Sequence, residues 1–236
     1  MSLGDPGTAD TSAARAVTPP LSGLRYRIGA VLLILNAAMY VGAEAIAASA
    51  WRDPAYSYAF NYISDLGVPD IAEFQGRMVD SPLHAVMNAG FILHGLVFLI
   101  TALLIQPAIV RNGPRWAYLA LALAHAVGIS LVGLFHGSQA AVDDGTAVLH
   151  GLGALLAIGA GNAAAIVAGT HLLHRRSRGL GGALIALGAL GILAFVYLLA
   201  TTGTDVDGIP ERIAVYTVMA AEALAGIAVL AAGCRG

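Results

Sequence analysis

Six apolar stretches of about 20 residues recur along this chain, each long enough to cross a hydrocarbon layer of about 30 Å at 1.5 Å of rise per residue. They cover roughly 28–50, 82–106, 116–136, 148–173, 182–201 and 212–232. The polar segments between them are short, except the one spanning 51–80. A polypeptide in hydrocarbon must satisfy its own backbone, and lone segments of this length do so only as helices. The expected fold is therefore all-α: a polytopic membrane bundle of six transmembrane helices in a single domain, 24–233. Composition agrees, with 58% hydrophobic and only 11% charged residues over 236 positions, against about 25% charged in soluble domains.

The charges divide unevenly between the two sides of this zigzag. Arg15, Arg25, Arg27, Arg111, Arg115, Arg175, Arg176, Arg178 and Arg235 fall on one side, and only Arg52, Arg77 and Arg212 on the other. Arginine in short flanking loops marks the cytoplasmic face, so both termini are predicted to be cytoplasmic in a bacterial plasma membrane. Ten of the 14 acids, among them Asp65, Asp143, Asp144, Asp207 and Glu211, lie on the opposite, outer side. The first 23 residues lack apolar periodicity and read as a disordered tail, not as a secretory signal. A net charge of −2 gives no reason to expect a nucleic-acid partner. The single cysteine forms no internal disulfide, and the absence of lysine rules out a phosphate-binding P-loop.

Candidate chemistry gathers at the outer ends of the spans. His84, His136 and His150 sit at one depth on three consecutive spans, near Asp65, Asp144 and Glu211. Imidazole with carboxylate suits a divalent metal such as zinc, or a general acid–base pair; solvated helix ends are the alternative, and no HExxH motif is present. Deeper in the bundle lie Glu44, one helical turn from Tyr40, and Glu222, about 15 Å into the last span. Ionisable groups at such depth face the interior unless paired or wet. His84 and Asn88 share a face, as do Arg212 and Tyr216. An outward-opening pocket lined by Glu44, His84, Asn88, His150 and Tyr216 is expected. Asp65, or failing that Glu211 or Asp207, is expected to pair with Arg212 and close its mouth. His94 and His125 belong near the midplane, either as satisfied core histidines or as a bis-histidine haem pair. The loop Ala59–Gly67, AFNYISDLG, has the turn-forming residues to fold back over the bundle.

Four motifs carry a resemblance: Asn61-Tyr62-Ile63-Ser64-Asp65-Leu66-Gly67; Met87-Asn88-Ala89-Gly90-Phe91 with Gly95-Leu96; Val132-Gly133-Leu134-Phe135 ahead of His150-Gly151; and Gly208-Ile209-Pro210-Glu211-Arg212. In these the chain resembles the prokaryotic membrane proteins of the family called domain of unknown function 998, whose pattern has proline where His136 follows the Gly-Leu-Phe run. The ISD-G piece is also similar to the Frag–DRAM–Sfk membrane family, which includes a lipid-remodelling factor for GPI anchors. That similarity implies lipid handling by analogy alone.

Three functional readings follow. In the first, an enzyme acts on a lipid or isoprenoid at the outer leaflet. Asp65, Asp144, His150 and Glu211 are its acid–base or metal groups, His84, His136 and His150 a metal set, and Glu44, Asn88, Arg212 and Tyr216 its substrate contacts. In the second, the protein binds membrane lipids or small molecules without chemistry, or serves a transporter; no inverted repeat supports transport. In the third, it is a structural partner subunit.

Overall fold

The computed structural model describes residues 23–110, 113–174, 177–204 and 206–233. The N-terminal segment expected to be a disordered tail lies, apart from Gly23, outside the described residues. Among those described, six long helices dominate: α1 (Leu24–Ala50), α2 (His84–Ile109), α3 (Gly113–Leu134), α5 (Ala147–His174), α6 (Arg178–Thr201) and α7 (Gly208–Gly233). A five-residue helix, α4 (Gln139–Asp143), lies between α3 and α5. All six long helices are sufficiently long and apolar to cross a membrane, so the chain is a multi-pass membrane protein.

Each long helix packs on its neighbours in sequence, and α7 returns to α1, closing a ring. Large apolar side chains such as Leu35, Ile46, Leu103, Leu193 and Ile227 cover the outside of the ring. In water they would be a liability, whereas in hydrocarbon they cost nothing. The interior combines many alanines and glycines with branched aliphatic and aromatic residues. Small residues let helix backbones approach where lipid offers no hydrophobic drive for association. The α5–α6 contact depends on this: a Cβ added to Gly169 would lie 2.6 Å from the Gly181 carbonyl oxygen, and one on Gly181 2.8 Å from that of Gly169. At the opposite end of the same helix pair, Phe195 and Leu198 of α6 face Ala154 and Ile158 of α5 around a cleft. The two helices are thus close at the arginine-bearing end and splayed at the other.

The splayed end carries the long loop between α1 and α2. It contains a 3₁₀ turn, Ser64–Gly67, and a hairpin of β1 (Ala72–Phe74) and β2 (Arg77–Val79). The hairpin turns on Gln75 and Gly76, both with positive φ (51° and 76°), as a two-residue hairpin loop demands. Ile63, Leu66 and Val68 are buried in the main core, so the loop is a lid set into the mouth of the ring.

Candidate functional site

The lid is held by side chains that reach its backbone. Asp65 accepts from its own Tyr62 N–H at 2.9 Å and pairs with Arg77 of β2, whose Nε lies 3.1 Å from Oδ2. The Arg77 guanidinium lies 4.3 Å from the centre of the Tyr62 ring. Burial pushes the Asp65 carboxyl above its ordinary pKa, while Arg77 pulls it back. Ser81 donates to Leu66 O at 2.7 Å, and Asn88 of α2 donates to Gly67 O at 2.8 Å. From α7, Glu211 accepts the Ile63 N–H. Tyr62 donates to Asp207 at 2.8 Å, which together with burial raises the tyrosine's pKa. Burial works against the Asp207 carboxylate too. Hydrogen bonds from Thr204, Gly203 and Tyr62 outweigh it and hold its pKa below the usual value.

The expected pairing of Asp65 with Arg212 is not what forms. Arg212 Nε and Nη2 lie 3.1 and 3.0 Å from Glu44 Oε1, and neither Asp65, Glu211 nor Asp207 takes that place. Its Nη1 donates to the carbonyls of Tyr58 (2.6 Å), Asn61 (2.8 Å) and Gly208 (3.0 Å), and Nη2 also reaches the Tyr56 hydroxyl. Tyr216 donates to the second Glu44 oxygen at 2.7 Å. The reason is reach. Asp65 is consumed within the loop by Arg77, whereas Glu44 sits deep on α1 facing α7, and a buried carboxylate there requires the guanidinium. Every donor face of Arg212 and both oxygens of Glu44 are thereby occupied. As placed, Arg212, Glu44 and Tyr216 fasten α1, α7 and the lid together, and none presents a free polar atom to a head group.

The histidines separate in a similar way. His84 Nδ1 lies 3.1 Å from Ser81 O, His136 Nε2 3.2 Å from Asn88 Nδ2, and His150 Nδ1 2.8 Å from Phe135 O. Burial, then the nearby His150 and His84, lower the pKa of His136. Among the described residues no three His, Cys, Asp or Glu side chains gather in a way that could hold a metal ion. The expected His84–His136–His150 set therefore does not assemble: each ring is turned toward a different local partner. Asp144 is exposed, and its Oδ1 accepts from the Thr146 N–H and hydroxyl at the approach to α5. It lines neither of the two spaces described below.

Two spaces meet beneath the lid. A cavity of about 50 Å³ inside the ring is bounded by Tyr40, Phe91, His125, Ala157 and Met219. A larger cleft of about 480 Å³ opens between α5 and α6, walled by Leu155, Phe195, Leu198 and Leu199. Leu155 and Leu199 are exposed on the outside of the ring, so the cleft faces sideways, toward acyl chains. Ser64, His150, Ala154, Ile158 and Glu211 line both spaces. Of the expected pocket residues, only His150 lies here. Glu44, His84, Asn88 and Tyr216 do not.

Farther down, His94 and His125 touch. His125 Nε2 lies 3.4 Å from His94 Nδ1, and the rings are 5.3 Å apart in an edge-on arrangement. A haem held by both would need its iron between them with one ring on each face, so this contact excludes bis-histidine ligation. Glu222 of α7 lies 3.2 Å from His94 Nε2. The sequence reading did not anticipate the roles of Arg77, Tyr56 and Tyr58, or the link from His94 to Glu222. The signal available for Arg77 was scarcity: it is one of only three arginines on its side of the chain, and Asp65 needed one of them.

Neither the curated proteins nor the solved structures contain a match to this chain. The family profile described as Protein of unknown function (DUF998) matches residues 36–228, a stretch that takes in α1 from Asn36 on, the lid, both cavities and Glu222. The chain belongs to that family.

Proposed function

We propose that the protein is an enzyme of the bacterial inner membrane that works on the polar end of a lipid or isoprenoid whose apolar chain lies in the α5–α6 cleft. The observation that carries this reading is the character of the cleft. Its α5–α6 walls are apolar, it opens sideways, its lid end carries the Asp65–Arg77 pair, and Ser64, His150 and Glu211 stand at its boundary with the inner cavity. Lipid-binding sites have this form: a greasy slot with a few convergent polar groups at one end. His150 has the chemistry of a base. Its Nδ1 faces a carbonyl, which can only accept, so Nδ1 carries the proton and Nε2 keeps its lone pair. Glu211 is anchored through one oxygen to the Ile63 N–H and is the acidic partner on the same walls. Membrane lipids are the ligand class this implies. A second reading, binding without chemistry, draws support from Asp65, Glu44 and Arg212, whose polar atoms are taken up by protein partners.

Photolabelling in nanodiscs tests this, with a diacyl phospholipid and a polyisoprenoid that each carry a diazirine in the chain. Labels should concentrate on α5 and α6 around Leu155 and Leu199. Ala154→Trp, which fills the cleft, should reduce labelling at least fivefold. Labelling spread evenly over lipid-facing helices, or unchanged in Ala154→Trp, defeats the reading. Conversion of a probe by the native protein but not by Glu211→Gln selects the enzyme. Equal labelling of both proteins without conversion selects the binder.

A further inference from the structure

At the centre of the ring a polar chain joins five of the six long helices. Asn36 of α1 donates to Glu222 of α7 at 3.3 and 3.4 Å and to the His94 carbonyl of α2 at 3.2 Å. Glu222 Oε1 lies 3.2 Å from His94 Nε2, within ion-pair distance but too far off-line for a hydrogen bond, so a small turn of either side chain is needed to make one. His94 Nδ1 lies 3.4 Å from His125 Nε2 of α3, and His125 Nδ1 lies 2.7 Å from the Ala157 carbonyl of α5. All four side chains are buried.

The hydrogens of this chain follow from its last member. A carbonyl only accepts, so His125 Nδ1 must donate, and Nε2 of the neutral ring accepts. The donor to that nitrogen is His94 Nδ1–H, which leaves His94 Nε2 with a lone pair facing Glu222. A bare carboxylate there would set two acceptors against each other. One proton therefore belongs to the Glu222–His94 pair, on the carboxyl or on the imidazole. Cavities flank the two ends of the chain. Glu222 lines one of about 40 Å³ with Tyr118 and Gly161, and His125 lines the one of about 50 Å³ that Glu211 and His150 also border. Each exceeds the roughly 10–15 Å³ that one water needs, and each offers polar partners.

We propose that Glu222, His94 and His125 are a proton relay that carries the proton of the Glu222–His94 pair into the cavity bordered by Glu211 and His150. The transfer balances as follows. Glu222 O–H gives its proton to His94 Nε2, His94 Nδ1 gives its own to His125 Nε2, and His125 releases the Nδ1 proton to water in that cavity. One proton leaves the carboxyl and one enters the cavity, and each imidazole ends neutral with its hydrogen on Nε2. The chain resets when water in the smaller cavity returns a proton to Glu222 and each imidazole exchanges its Nε2 hydrogen for one on Nδ1. Gly161 leaves the room beside His125 Nδ1 that this exchange needs: a Cβ there would lie 2.7 Å from that nitrogen. The other titratable groups bordering the relay are Tyr40 of α1, edge-on to His94 at 5.1 Å, and Tyr118 of α3, beside Glu222 in the smaller cavity. The relay does not depend on what occupies the cleft.

Infrared spectroscopy of the full chain in nanodiscs, without added lipid probe, tests it. The shared proton should appear as a carboxylic-acid band that Glu222→Gln removes, or as an imidazolium signal that His94→Phe removes; absence of both overturns the proposal. On transfer to D₂O that signal should exchange at least tenfold more slowly in His125→Phe than in the native chain. Gly161→Ala keeps every titrating nitrogen but crowds the ring, and should slow exchange several-fold. Unchanged exchange in a folded His125→Phe protein, or in Gly161→Ala if the former does not fold, overturns the relay.

Discussion

Arg212 shows how a buried charge can decide local structure. It meets a carboxylate, three backbone carbonyls and two tyrosine rings, and no lysine could span these, because the contacts use the planar guanidinium fork on several sides at once. Removing one partner strands the other charge, which costs about 3–5 kcal/mol when a buried pair is broken. Glu44→Gln and Arg212→Met should each lower thermal stability in detergent by an amount of that order, and the double variant should recover part of the loss. Additive losses would show that the two residues act separately. Asp207 makes a pH-dependent contribution. Its pKa is lower in the folded chain than unfolded, so its contribution is complete above the ordinary carboxylate value of about 4 and disappears as pH falls through the depressed folded value. Asp207→Asn should cost about 1.5–3 kcal/mol near neutrality, the usual worth of hydrogen bonds to a charged group, and should flatten the acid limb of a stability-versus-pH curve below pH 4. An acid limb identical to that of the native protein would assign it to other groups.

Among the elements, the helices were the most legible in the sequence and the lid the least. A run of 20 apolar residues has one structural outcome in hydrocarbon, so six helices could be read without knowing any contact. Which charges meet was not legible. Arg212 and Glu44 are 168 positions apart, and the choice among Asp65, Asp207, Glu211 and Glu44 depends on how α7 faces α1, which no local pattern encodes. The hairpin that brings Arg77 to Asp65 consists of two three-residue strands, too short for alternation to reveal. The glycines of the α5–α6 pair yield a sharper expectation. Gly169→Ala forces a methyl toward the Gly181 carbonyl and should destabilise by about 1–3 kcal/mol, as overpacking does. Gly159→Ala, on the same helix with nothing within 4 Å, should be neutral or stabilising by up to about 1 kcal/mol. Thermal unfolding of both variants checks the contrast, and equal shifts would contradict the close approach.

For the whole molecule, six helices packed in sequence, an even number, place Leu24 and Gly233 on one side of the ring. The arginine distribution proposes the cytoplasm as that side. A reporter fused after Gly236 should be active only when it stays inside the cell; activity confined to the outside would reverse the orientation. At this scale the candidate site was legible only in part. Of the residues expected to line an outer pocket, His150 borders the spaces beneath the lid and Glu44, His84, Asn88 and Tyr216 do not. Yet of the groups expected to carry chemistry, His150, Glu211 and Asp65 border the open spaces, Asp65 while paired with Arg77; Arg212 is taken up by Glu44, and Asp144 is exposed. Depth can be counted along a sequence, but a side chain's heading around the helix relative to a distant partner cannot.

The lid between α1 and α2 is secured by Asp207, just ahead of α7, and by Glu211 and Arg212 of α7, and this has a consequence for the order of synthesis. The ribosome delivers the lid early and its fasteners last, so a nascent chain carries an unlatched mouth until the final helix enters the membrane. A chain ending before Gly208 should expose residues 51–83 to protease in membrane vesicles, whereas the full chain should protect them. Protection of the shortened chain would mean that the lid seats without its latch. If the latch is required, α7 acts as an inspection step: the loop is hidden only once α7 has joined the ring, and a chain stalled before it leaves the loop open to protease.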